Sequence, residues 1–491
     1  MKRIGIGIAA AVLVMAAPLS ASAAPSGLNS YYSQTLDWHS CSAGQCAQLR
    51  VPLDYSDLSK GDISIAVSRI VHSGATSQGS IVINPGGPGE SGLGFAWYAA
   101  KFLAPAVAKE FDFIGFDPRG VGKSAPVTCM TPKQTASWLA MDSTPDNPKE
   151  IDEVMRAAAR ISKGCLKFSP RISPFVGTPS TAQDLDLLRS ALGEDKLNWL
   201  GFSYGTALGT TYLETFPDRV GRFVLDGALN PELNSMQISA GQSVGFQRAF
   251  QNFAADCANR KNCSLGQTPA VVTAKVNALL ARLDQHPLRT DQGPQLTQAL
   301  GMGGMLTAMY TQDLWQPLSQ AIEQALAGNG TGLLELAWSG AEQIGPTKFT
   351  SNVQSAYYAI DCWDNPKPPG AAGFSAAAKR WSANAPVPEF AKSIAWSNAP
   401  CTAWFDHNPQ APAPAATSTK APILVIGTRF DPATPYEWSR ALSSQLPTST
   451  LLTYEGNGHT AYGSGSNCID DLVDQYLLRG TLPAKSTSCP A

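Results

Sequence analysis

Beyond Leu19 this 491-residue chain lacks any long apolar stretch, and it has little histidine, five residues in all. The first lack excludes a later membrane-spanning helix, which needs about 20 apolar residues in a row. The second, together with the absence of C-x-x-C and H-x-x-x-H spacings, leaves nothing to build a common zinc site, so neither metal nor cofactor is expected. An excess of charge is missing too, with 36 Lys and Arg against 38 Asp and Glu. Such a balance gives no electrostatic reason to bind nucleic acid or to hold stably to an anionic membrane. No internal repeat is evident.

What is present begins with Lys2 and Arg3, an uncharged apolar run from Ile4 to Leu19, and then Ala21-Ser22-Ala23. That is the pattern of a secretory signal peptide over residues 1–23, cut before Ala24. No cysteine follows the cut to take a lipid, so a secreted, extracellular protein is expected. Ten cysteines in an exported chain read as disulfides. Sequence neighbours group as Cys41 with Cys46, Cys129 with Cys165, Cys257 with Cys263, Cys362 with Cys401, and Cys468 with Cys489.

Short runs rich in Val and Ile predict strands covered on both faces at 63–71, 80–84, 111–116, 197–200, 222–225, 423–426 and 450–454. Helical spacing at 151–162 and 181–192 falls between them, which predicts an α/β fold with a mostly parallel sheet. From about Pro231 to Trp396 the alternation stops. Helical runs such as 270–283 and 314–326 dominate there, with no convincing buried strand. The expected organisation is therefore a core from 24–230, a helical cap insertion over 231–396, and a return to the core over 397–491.

The stretch Gly201-Phe202-Ser203-Tyr204-Gly205 follows a strand and precedes a helix, the setting of a nucleophile elbow. A second G-x-S-x-G, around Ser243, follows no strand and reads as ordinary. A serine nucleophile needs a base and the base an orienting acid, in chain order Ser, Asp, His. His459, in the glycine-flanked loop "EGNGHTAYG", and Asp431, in "GTRFDPATP", stand after consecutive strands in that order. Asp226, at the end of the preceding strand, is the reserve acid. The loop "INPGGPGESGLG" matches a dinucleotide-binding G-x-G-x-x-G fingerprint, but Pro88 lies inside it and removes a donor. A hydrolase needs an early loop for another purpose: one N–H to meet the developing oxyanion beside the N–H after the nucleophile. Tyr204 supplies the second, and Gly87 or its neighbour Gly86 the first. "RGVGKS" has Asp117 where a phosphate loop needs glycine, so Asp117 and Arg119 are expected to pin a turn.

These segments together, "NPGGPGESG", "FDPRGVGKS", "GFSYGT", "GTRFDPATP" and "GNGHTAYG", resemble the α/β-hydrolase serine exopeptidases of the prolyl-aminopeptidase type. Most of all the chain resembles the secreted bacterial tripeptidyl aminopeptidases. The resemblance implies an α/β-hydrolase fold and cleavage of peptide substrates near a free N-terminus; a monomer is expected. Two positions depart from it: Asn84 stands where prolyl aminopeptidases usually have His, and Glu90 where relatives often have a small residue.

A peptidase that cuts a fixed number of residues in must hold the substrate α-ammonium, and burying that cation requires an acid. Glu90, in the oxyanion loop, and Asp361 and Asp364, where the insertion returns towards the sheet, are the candidates. A secreted carboxylesterase with the same triad, lacking such an acid, is the alternative reading. A catalytically inactive binding protein is disfavoured by the intact triad.

Overall fold

The structure is a computed structural model that describes residues 27–491; the expected signal peptide and its cleavage site lie outside the described residues. The chain opens with α1 (Asn29–Tyr32), β1 (His39–Cys41), β2 (Gly44–Pro52), β3 (Asp62–Ile70) and β4 (Ser80–Asn84). There follow α2 (Leu93–Tyr98), β5 (Asp112–Phe116), α3 (Pro132–Leu139), α4 (Pro148–Phe168) and α5 (Thr178–Ala191). Then come β6 (Leu197–Phe202), α6 (Tyr204–Thr215) and β7 (Val220–Asp226). After a long helical excursion the sheet resumes with β10 (Ile423–Phe430), α15 (Tyr436–Gln445), β11 (Ser449–Asn457), α16 (Asn467–Arg479) and β12 (Ser488–Cys489).

The strands form one sheet in the order β1-β2-β3-β5-β4-β6-β7-β10-β11-β12. Antiparallel pairing is confined to β1, β2, β3 and the β3–β5 contact, and every other neighbour is parallel. The alternation of side chains along each strand divides the core in two. Val82, Ile114, Trp199, Phe223 and Val425 face α5 and α6. Ile81, Phe113, Leu200, Val224 and Ile426 face α2 and α16. The hairpin β1–β2 and the short edge strand β12 have no counterpart in the strands read from the sequence.

The excursion between β7 and β10 consists of α7 (Ser235–Asn259), α8 (Pro269–Gln285), α9 (Gln298–Ala308), α10 (Trp315–Leu326) and α11 (Thr331–Gly340), then β8 (Gln343–Gly345) and β9 (Lys348–Phe349). It closes with α12 (Val353–Asp364), α13 (Gly370–Ser382) and α14 (Pro388–Trp396). These helices have an apolar core of their own, built around Phe250, Phe253, Leu280, Met305 and Ile322. The small β8–β9 hairpin pairs antiparallel, apart from the main sheet. Cysteines pair as Cys41–Cys46, Cys129–Cys165, Cys257–Cys263, Cys362–Cys401 and Cys468–Cys489. The last ties α16 to β12, which explains how a two-residue strand stays on the sheet edge.

Candidate active site

Four loops at the carboxyl ends of strands β4, β6, β10 and β11 meet above the sheet, where open parallel sheets bind ligands. The turn from β6 into α6 holds Ser203 at φ 52 and ψ −121, a left-handed backbone that costs a side-chain-bearing residue of order 1–3 kcal/mol. Surrounding contacts enforce it. The Ser203 N–H donates to the Asp226 carbonyl at 2.9 Å, and the Thr206 N–H donates back to the Ser203 carbonyl at 2.8 Å. Gly205 has no room for a side chain: a Cβ there would stand 2.9 Å from both the carbonyl and the side-chain oxygen of Asn84.

Asp431 follows β10 and is fully buried. Its carboxylate accepts the N–H groups of Ala433 (2.9 Å) and Thr434 (2.8 Å), the Thr434 hydroxyl (3.0 Å) and the Thr460 N–H (3.2 Å). The two carboxylate oxygens also lie 2.9 and 3.0 Å from Nδ1 of His459, in the loop after β11. Burial works against an imidazolium at His459, but the charge of Asp431 and its hydrogen bond outweigh it and hold His459 above its ordinary value. Tyr310 of the helical excursion steadies the same loop. Its carbonyl accepts the His459 N–H at 2.8 Å, and its ring meets the imidazole edge to face at 5.2 Å. The reserve acid, Asp226, is engaged elsewhere. It accepts the N–H groups of Ala461 and Tyr462 at 3.0 and 2.8 Å, and burial pushes its carboxyl up to about 7.

The glycine loop after β4 lies directly against the elbow, since a Cβ on Gly86 would stand 2.7 Å from the Phe202 carbonyl and 3.0 Å from Cβ of Ser203. The Gly86 N–H is already given to Asn84 Oδ1 at 3.1 Å. The N–H groups of Gly87 and Tyr204 find no acceptor among the described residues. Of the two loop glycines, Gly87 is thus the one with a donor to offer.

Ser203, Gly87, Tyr204 and Thr434 share one cavity of about 370 Å³. Asp361 and Asp364 line it as well; Glu90 does not. Asp364 has both oxygens in use, accepting the Thr178 N–H at 2.8 Å and the Thr178 hydroxyl at 2.5 Å. Asp361 accepts from Asn365 Nδ2 at 3.1 Å with one oxygen, while the other lies 3.7 Å from Cys401 Sγ. That sulfur is bonded to Cys362 and has no proton to give. Asp361 therefore keeps an unused oxygen at the cavity, and burial raises its carboxyl to about 6. Glu90 sits beside Gly87, raised to about 7 first by burial and then by the neighbouring Glu342, while the charge of His459 pulls the other way.

A family model for the alpha/beta hydrolase fold matches residues 79–466. The chain belongs to the α/β-hydrolase family. It is similar to serine protease Hip1 of Mycobacterium tuberculosis H37Rv, 34% identical over 93% of this chain and 91% of that protein. It is similar to the tripeptidyl aminopeptidase of Streptomyces coelicolor, 34% identical over 92% of this chain and 86% of the relative. Carboxylesterase B of Mycobacterium tuberculosis H37Rv is 35% identical over 92% of this chain and 89% of its own length.

In this α/β-hydrolase the second G-x-S-x-G lies within α7, and Ser243 is buried there. Its glycines serve packing: a Cβ on Gly241 would stand 2.5 Å from the Trp438 ring, and one on Gly245 would run into the Pro432 carbonyl beside Asp431. Arg119 is buried and forks onto Asp184 at 2.6 and 2.7 Å, while Asp117 accepts the Lys123 N–H at 2.8 Å. Both have protein partners and pin the turn after β5. Sequence reading missed Thr178, Tyr310 and Thr434. The first two come from segments far along the chain and carry no motif; Thr434 stands inside the quoted "FDPATP", where its spacing from Asp431 suits a local cap.

Proposed function

We propose that the protein is an exported serine peptidase that releases short peptides, tripeptides above all, from free N-termini. The observation that carries this reading is Asp361, an acid with an unused oxygen in the cavity that also holds Ser203. A substrate ammonium at that point supplies the missing partner, and the peptide then runs from Asp361 to Ser203. The lining mixes polar side chains (Ser239, Gln242, Asn398) with apolar ones (Leu229, Ile238, Trp363), so it offers partners both for a peptide backbone and for apolar side chains of a substrate. The likeness to a tripeptidyl aminopeptidase supports the fragment length. Five disulfides, and no helix among the described residues long and apolar enough to cross a membrane, agree with export.

In this mechanism Ser203 Oγ attacks the scissile carbonyl while the imidazole of His459 takes its proton. Asp431, at Nδ1, fixes the tautomer and stabilises the imidazolium. The negative oxygen meets the N–H groups of Gly87 and Tyr204. His459 returns the proton to the departing amine, leaving an acyl-enzyme, and a water activated by the same imidazole hydrolyses it.

The test is a panel of chromogenic peptides of one to four residues, each free and acetylated at the N-terminus, beside simple esters. Preferred cleavage of the free tripeptide is expected. Equal cleavage of free and acetylated peptides would favour an esterase, the reading to which the similarity with carboxylesterase B also leads.

A further inference from the structure

Asp364 entered as a candidate for the substrate ammonium, yet Thr178 occupies both of its oxygens. The chain of contacts continues. The Tyr204 hydroxyl lies 2.5 Å from Thr178 Oγ1, and since Thr178 gives its own proton to Asp364, the phenol is the donor in that pair. Tyr204 is buried, and burial raises its phenol well above the ordinary range, so the proton stays in place. The same residue carries the N–H proposed for the oxyanion, one position after Ser203. A relay of three side chains therefore runs from the last residue of α12 to an oxyanion donor.

The other end of α12 packs against the loop that carries the second donor. A Cβ on Gly89, in the loop that carries Gly87, would stand 2.9 Å from the Tyr357 nitrogen, 3.0 Å from Ala356 and 3.1 Å from the Val353 carbonyl. Asp361 lies between these two contacts on the same helix. We propose that Thr178 and Asp364 are positioning residues for the Tyr204 oxyanion donor, and that α12 joins both halves of the oxyanion hole to the substrate anchor. This inference rests on the peptidase reading for the role of Asp361, but not for the link between Asp364, Thr178 and Tyr204.

Thr178→Val removes the central hydroxyl and keeps the shape of the side chain. Kinetics are measured with a free tripeptide anilide and with p-nitrophenyl acetate, per active site titrated with a fluorophosphonate. A small displacement of the donor lowers kcat on both substrates, by roughly tenfold, with KM for the tripeptide held within about twofold. Thr178→Ser restores the rate, which recovery of folding alone does not explain after titration. If Thr178→Val does not fold, Tyr204→Phe removes one oxygen from the same relay and carries the same expectation. Unchanged kcat, a rise in KM alone, or no rescue by serine would overturn the proposal. Failure of the peptidase reading shows separately, as equal cleavage of free and acetylated peptides by the unaltered enzyme, while the ester arm still reads the relay.

Discussion

Asp361→Asn tests the anchor with the least disturbance, because asparagine keeps an oxygen for Asn365 and the size of the side chain. Removing one partner of an enclosed charge pair costs about 3–5 kcal/mol when no water enters, and a hydrogen bond to a charged group about 1.5–3 kcal/mol. The cavity is open at one end, so the lower range applies. About 2–3 kcal/mol corresponds to a rise in KM of roughly 30- to 150-fold for free tripeptides, with acetylated peptides and esters unaffected. Stability moves the other way. Burial raises the folded carboxyl to about 6, above its unfolded value near 4, so wild-type stability falls as pH rises between those two values and stays lower above them. Asparagine lacks that loss, so at pH 8 the variant is more stable by up to about 3 kcal/mol. Steady-state kinetics and thermal unfolding at pH 8 check both halves. A variant with unchanged KM for free tripeptides, or a lower melting temperature, would refute the assignment of Asp361 as a buried acid awaiting a cation.

Protonation of the same acid gives a pH signature: the ratio of kcat/KM for free tripeptide to that for ester falls as pH drops through about 6, since loss of the His459 base is common to both substrates and cancels. Ser203→Ala abolishes fluorophosphonate labelling and Ser243→Ala leaves it intact, read on a fluorescent gel; His459→Ala lowers kcat about as far as Ser203→Ala, because the two act as a unit. Asp226→Asn weakens the hold on the Ala461 and Tyr462 N–H groups, and kcat falls by roughly tenfold with KM little changed. Replacing Cys362 and Cys401 together by serine lowers unfolding stability by roughly 2–4 kcal/mol in a denaturant titration.

The parallel half of the sheet was legible because its strands are short, apolar and punctuated by loops that carry motifs. β4 and β6 begin where the sequence places them, although β6 and β10 run further than their apolar runs, up to Phe202 and Phe430. The antiparallel β1–β2 hairpin escaped notice because β2 mixes Gln and Arg with its apolar residues, as an edge region open to solvent allows. At the site, local context alone singles out Ser203, Asp431 and His459 as candidates, and the pair that the structure joins by a hydrogen bond is Asp431 and His459. Which acid is free to bind a ligand could not, since it depends on Thr178 meeting Asp364 across 186 residues of chain.

The helical excursion leaves the sheet at Asp226 and returns at Ile423, and the strands it separates lie side by side, with Asp226 opposite Ile426. Its two ends thus meet at a seam that the rest of the fold already closes. An exchange of α8 to α11 for another set of helices would leave the cavity lining in place and touch one support of the histidine loop, Tyr310, while Ser203, Asp431, His459 and the glycine loop kept their strands. α7 and α12 travel less freely, since α7 packs Gly245 against the Pro432 carbonyl beside Asp431 and α12 is wedged against the glycine loop and hydrogen-bonded through Asp364 to Thr178. The outer helices can therefore diverge with little change to the lining, whereas α7 and α12 supply Ser235, Ile238, Ser239, Gln242, Tyr357 and Asp361, so divergence there reshapes the cavity itself.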